Sequence, residues 1–251
     1  MKTMVVVACA GAALVAACSG RSEAKLDPSP APSSVAPGPG LVLRTSTSGG
    51  IAGLGGPGSL PDFSLYGDGR AITGSGWPTE YRLTPQAAHR IVTAAQNAGL
   101  ATPRTAKSPH MTDALYKVVT FVVRGRPRTT KLVEPVTDGK TAALLARLDP
   151  ATWPRGDLAA GPRPYRPVRV AALAFPGSAT GSPRWPFTAP LGAGTPVGTR
   201  TCTLLTGADA RKVIALSPRV GRWSDWADHG RSYRVMLRPL LPDEANCSAL
   251  M

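Results

Sequence analysis

The chain has 251 residues, 27 of them Gly and 26 Pro, with 29 basic against 15 acidic side chains, a formal net charge of +14 and four Cys. Gly and Pro together make up about a fifth of the residues, against an average near 12%, which excludes a long-helix bundle and calls for a loop-rich fold. The basic excess invites a nucleic-acid partner and the four Cys invite zinc, and both depend on the compartment in which the chain works.

The N-terminus settles the expected compartment. Lys2 precedes an apolar run over residues 5–17, with small residues ahead of Cys18. A positive start, about a dozen apolar residues and a small-residue cut site make a secretory signal. The run is shorter than the roughly 20 residues a spanning helix needs. Val15, Ala16, Ala17 and Cys18 resemble the lipobox of bacterial lipoproteins. The resemblance implies a signal peptide over residues 1–17, cleavage after Ala17 and acylation of Cys18, with palmitate-type chains. Two acyl chains anchor stably where one is marginal, since each buried CH₂ contributes about 0.8 kcal/mol. The expected location is therefore the outer face of the cytoplasmic membrane, with the membrane itself as first partner through the lipid.

Residues 18–40 read as a disordered tether. Positions 19–40 hold five Pro, five Ser and three Gly with no aromatic side chain, too little apolar surface to offset the entropy of ordering. Ser22 and Lys25 match a Ser-x-x-Lys spacing, but a tether offers no scaffold to position them.

From Leu41 the pattern becomes short strands punctuated by helices. Residues 41–45 read as a strand entering a glycine loop at 49–58. Strands at 62–66 and 70–73 flank Gly67, Asp68 and Gly69, a hairpin signal because Asp-Gly supplies positive φ angles. Thr84 as N-cap, Pro85 at the first position and Gly99 as C-terminal stop delimit a helix, with Ala88, Ile91, Val92, Ala95 and Ala98 on one face. Two β-rich stretches, 116–123 and 128–133, are joined by a turn at Gly125, Arg126 and Pro127, and a short helix covers 141–148. The order β-β-β-α-β-β-α predicts an antiparallel sheet with helices on one face. Residues 151–167, with four Pro and two Gly, mark the boundary between a domain at 41–158 and a smaller one at 159–251. The second segment reads as a strand at 168–175, a helix opened by a capping box of Thr206 and Asp209 and running to about Leu216, and a strand at 232–237. The fold class is thus α+β throughout, one domain or two.

Cys9 falls inside the signal and Cys18 carries lipid, so Cys202 and Cys247 remain to face an oxidising exterior. They are expected to pair as a disulfide. Neither has a Cys or His partner at ligand spacing, so no metal site is expected. Gly53, Gly55 and Gly58 match the letters of a dinucleotide fingerprint, but a strand rather than a helix follows, and no cofactor is expected. Of the three His, His89 sits on the outer face of the first helix and His110 in a loop. Asp225, Asp228 and His229 form the densest polar cluster, a candidate metal or proton-transfer site set against a solvated turn. No serine-elbow, zinc-helix or Cys-His pattern is present, so no catalytic residue is assigned.

Loss of Lys2 leaves +13, of which residues 161–238 carry +9. On an exported chain the available anions are headgroups and wall polymers, not nucleic acid. A compositional origin is equally open, since Arg outnumbers Lys 22 to 7. The chain resembles secreted lipoproteins of actinobacteria, many without an assigned activity, in the phrases at 63–70 and 238–244 and in Cys202 with Cys247. Residues 41–148 are similar in layout to emfourin-like inhibitors of thermolysin-type metalloproteases. The shared features are Gly49, Gly50, Ala52 and Gly53 after a strand, an Ala-rich helix ending near Gly99, and Asp113 to Tyr116 opening a hairpin. The expected function is a non-catalytic, lipid-anchored envelope module binding a protein or an anionic wall polymer, a protease among the protein candidates. The alternatives are a hydrolase with its site at Asp225 to His229, and a passive structural lipoprotein.

Overall fold

The computed structural model describes residues 38–51, 53–74, 76–106, 113–219 and 223–251. The signal, Cys18, residues 19–37 of the tether and His110 lie outside them. Among the described residues, two antiparallel sheets and three α-helices make an α+β fold.

The first sheet has seven strands. In chain order these are β1 (Leu41–Gly49), β2 (Phe63–Tyr66), β3 (Arg70–Thr73), β4 (Thr79–Leu83), β5 (Leu115–Val123), β6 (Arg126–Val133) and β7 (Leu158–Pro164), arranged β6-β5-β1-β2-β3-β4-β7. Strand alternation splits β1 between two environments. Leu43, with Leu65, Ala71, Val119 and Phe121, faces the helices, and Arg44 faces the other way. Helix α1 (Pro85–Asn97) buries Ala87, Ala88, Ile91, Val92 and Ala95 on that core, and α2 (Gly139–Arg147) adds Leu144. Thr84 caps α1 as expected, its side chain accepting the Ala87 N–H at 3.2 Å.

The second sheet is ordered β11-β12-β8-β10-β9. Its strands are β8 (Arg169–Pro176), β9 (Thr195–Val197), β10 (Arg200–Thr206), β11 (Trp223–Asp228) and β12 (Arg231–Pro239). Val170, Ala171, Ala172, Leu173 and Ala174 are all fully buried, because β8 is central and covered on both faces, which favours an unbroken apolar run. One face packs Trp185, Phe187, Leu191, Trp226 and helix α3 (Gly207–Val213); the other packs Val197, Leu240, Leu250 and the disulfide. Cys202 and Cys247 are bonded, with Cα atoms 6.0 Å apart across 45 residues.

Several local expectations change. The segment before α1 forms an additional strand, β4, whose Glu80 is buried and paired with Arg163. The β5–β6 turn sits one residue earlier, at Arg124 and Gly125, both with positive φ, as a tight two-residue hairpin requires. The capping box does not form: Thr206 makes no side-chain cap bond, and the Asp209 carboxylate instead accepts the Thr188 N–H at 3.1 Å. Helix α3 ends at Val213, short of the expected Leu216, and passes into a 3-10 turn, Ile214–Arg219. Within the stretch read as a boundary, β7 pairs with β4 and extends the first sheet to Pro164; its Pro residues suit an edge strand.

Candidate binding groove

The two sheets meet through the face of the first that carries no helices. Tyr66 and Ile72 pack there against Tyr165 and Leu241. Beside this patch lies a polar network. Arg44 donates to Asp243 at 2.7 Å and to the Ser64 hydroxyl at 3.1 Å, and the Tyr66 hydroxyl donates to the same Asp243 oxygen at 2.8 Å. Burial alone would lower the Arg44 pKa, but Asp243, Tyr66 and Glu244 together raise it above its ordinary value. Burial and then Asp243 push the Tyr66 phenol far above its usual range, so it remains a donor.

A second pair continues the network. Arg238 and Glu244, 3% and 4% exposed, join through two hydrogen bonds of 2.6 and 2.9 Å. Glu244 also accepts the Leu241 N–H at 2.7 Å, and Arg238 Nε donates to the Ser59 carbonyl at 3.1 Å. The intervening Pro239 and Pro242 turn the chain so that Glu244 folds back on Arg238. Planar two-point pairing of this kind fixes geometry as well as charge.

Arg238 forms part of the wall of a groove of about 590 Å³ between the glycine loop at 53–58 and the second sheet. Arg200, Trp223, Met236 and Leu237 line it from the sheet; Thr47, Ser59, Leu60 and Asp62 line it from β1 and the segment before β2. The Arg200 guanidinium lies 5.4 Å from the Trp223 ring centre, and Phe175 meets that ring edge-on at 5.1 Å. Gly55 (φ +85°) allows the loop to pass β1 closely, since a Cβ there would come 2.8 Å from that of Ser48. At the rim, the Lys117 ammonium donates to Thr47 Oγ1 at 2.8 Å and to Asp62 at 2.9 Å, and contacts Glu134 at 3.3 Å. Burial opposes the Lys117 charge, yet Asp62 and Glu134 raise its pKa. An ammonium with all three donors engaged cannot act as a general base toward Thr47.

The groove thus presents an aromatic face, a guanidinium, a carboxylate and loop backbone, a constellation suited to holding a polar ligand with apolar faces. The sequence assigns a binding role to none of its charged residues. Arg238 and Glu244 carried a readable signal, opposite charges bracketing a Pro-rich turn. Arg44 and Asp243, 199 residues apart, carried none.

The cluster at 225–229 converges only in part, with Asp228 and His229 together and Asp225 apart. Asp225 is exposed on β11, whereas Asp228, three positions along the strand, points inward and accepts the Leu191 N–H at 2.9 Å. His229 bonds to Asp228 at 2.8 Å but is 80% exposed, at the tip of the β11–β12 hairpin. His89 is exposed on α1. No family model, curated protein or solved structure matches the chain.

Proposed function

We propose that this is a lipid-anchored envelope protein, held to the outer face of the cytoplasmic membrane through Cys18, whose folded part is a non-catalytic binding module. The anchor rests on the lipobox resemblance. The binding role rests on the groove between the glycine loop and the second sheet, where Trp223, Arg200 and Asp62 converge on a frame whose Lys117 is locked as a cation. The aromatic ring offers a surface to the C–H face of a sugar ring, and Arg200 offers a cation to the anionic groups of a wall polymer. The test is co-sedimentation of the purified full chain with insoluble cell-wall polymer, beside the Trp223→Ala/Arg200→Gln variant. Retention of the wild type and loss of the variant support the reading. Equal sedimentation of both, or of neither, removes polymer binding from the groove and leaves the protein-ligand reading or a passive structural lipoprotein. Replacing Cys18 with Ala moves the chain from the membrane fraction to the medium; retention in the membrane refutes the anchor.

A protein ligand is the second reading, favoured by Ile51 (94% exposed) and Leu54 on the same glycine loop, with exposed Leu115 beside them. This is the loop that resembles the emfourin-like inhibitors. Inhibition of a thermolysin-type protease by the full chain, lost on Ile51→Asp, supports it; full protease activity at saturating chain concentration refutes it.

A further inference from the structure

A different part of the molecule holds a second pocket. Beneath α1, where the chain leaves α2 through two 3-10 turns (Pro150–Thr152 and Arg155–Asp157), lies a pocket of about 130 Å³. Its apolar lining is Leu83, Ala87, Ile91, Trp153 and Pro154. Its charged lining is Arg90, Asp157 and Arg147. Trp153 is fixed as one wall: its indole N–H donates to the Arg147 carbonyl at 2.8 Å, and its ring meets Tyr81 edge-on at 5.2 Å.

The charges do not cancel. Arg90 and Asp157 are paired at 2.5 Å, while Arg147 makes no ion pair with any described residue. The pocket mouth therefore carries one net positive charge beside an apolar wall. Arg90 and Arg147 also border the groove that continues between α1 and α2, where His89 and Lys140 add further basic groups and no carboxylate of a described residue lines the walls. Neither helix contains an Asp or Glu.

We propose that this pocket binds a small amphiphilic monoanion, a carboxylate with a short aliphatic group, seated with its chain against Trp153, Ile91 and Ala87 and its carboxylate on Arg147. The volume sets the chain length. A cavity near 150 Å³ holds benzene, so about 130 Å³ admits roughly five to six carbons. The net charge sets the headgroup, because a neutral head gains nothing from Arg147 and a second negative charge would have to compete with Asp157 for Arg90. The site shares no residue with the glycine-loop groove, so it stands or falls apart from the binding role assigned there.

The experiment titrates the full chain with sodium butyrate, hexanoate, octanoate and decanoate, with 1-hexanol as the neutral control. Indole chemical shifts of the Trp residues provide the readout. Affinity is expected to rise about three- to fourfold per methylene up to hexanoate, the equivalent of about 0.8 kcal/mol each, and then to level off. Hexanoate is expected to bind about two- to fivefold tighter than hexanol, the range of an exposed ion pair. Arg147→Gln, at an exposed position, removes that preference while leaving the chain-length series in place. Ala87→Leu fills the pocket and abolishes binding by both, with thermal unfolding checking that the fold persists; if that variant fails to fold, Ala87→Val serves instead. Equal binding of hexanoate and hexanol overturns the proposal. So does affinity that keeps rising through decanoate, which marks nonspecific association with apolar surface, or binding unchanged by either variant.

Discussion

Glu244→Gln tests whether the joint between the sheets is held by a desolvated ion pair. The substitution preserves volume but leaves the Arg238 guanidinium, 3% exposed, without its counter-charge. It replaces one of two accepting oxygens with an N–H donor facing another donor. Three hydrogen bonds converge on this carboxylate, at 2.6, 2.7 and 2.9 Å, so no rotation of the amide satisfies all of them. Removing one partner of a buried pair costs about 3–5 kcal/mol, and the retained carbonyl puts the expected loss at the lower end, about 3 kcal/mol. For a domain of this size each kcal/mol moves Tm by roughly 2–4 °C, giving about 6–12 °C. Urea unfolding followed by Trp fluorescence measures the loss directly, with an unchanged slope showing that the denatured state is unaltered. The double variant Arg238→Met/Glu244→Leu removes both charges and is expected to recover at least half of it. A loss below about 1 kcal/mol, the range of an exposed pair, refutes the reasoning, as does a double variant no better than the single one.

Replacing both Cys202 and Cys247 with Ala opens a 45-residue loop and is expected to cost about 4 kcal/mol in the chain-entropy description; a urea midpoint unchanged from that of the wild type refutes it. Asp138 caps α2, accepting from Thr141 at 2.6 Å and from the Lys140 N–H, beside Arg104, and these hold its carboxyl below the ordinary Asp value. Its contribution to stability is thus complete above about pH 4 and lost as pH falls through the lowered folded value. Asp138→Asn should flatten that acid limb while leaving the slope at neutral pH alone, and an unchanged acid limb counts against the assignment. Gly194 has an ordinary backbone conformation, but a Cβ there would run into the Cys202 carbonyl and come within 2.9 Å of the Thr203 nitrogen. Gly194→Ala should cost about 1–3 kcal/mol, read by thermal unfolding, and a neutral outcome means that the β9–β10 approach is looser than described.

Elements whose signals are local were legible. Thr84, Pro85 and Gly99 delimit α1 because capping chemistry operates within a few residues, and the apolar run at 168–175 announces the strand β8. Cys202 and Cys247 were legible by elimination within an expected compartment. Strand β4 was not, since Thr79, Glu80 and Arg82 read as loop until Glu80 finds Arg163 across the β4–β7 pairing. Adjacency in sequence is also no guide to a shared face. Asp225 and Asp228 look like a cluster, yet an odd spacing on a strand sends them to opposite faces. The groove was illegible for a topological reason: Asp62, Arg200, Trp223 and Arg238 are brought together only by docking one sheet on another.

The Arg44–Asp243 contact also has a temporal side. At synthesis rates of about 5–20 residues per second, roughly 10–40 s pass between the appearance of one partner and the other. During that interval β1 can pair with β2 and receive α1, but the face bearing Arg44, Tyr66 and Ile72 has nothing to close upon. A contact this distant in sequence makes the joining of the sheets the slow step. The first sheet is therefore expected to pair before its inner seam closes. The segment from Arg238 to Cys247 then closes the seam and places Cys247 against Cys202 for oxidation.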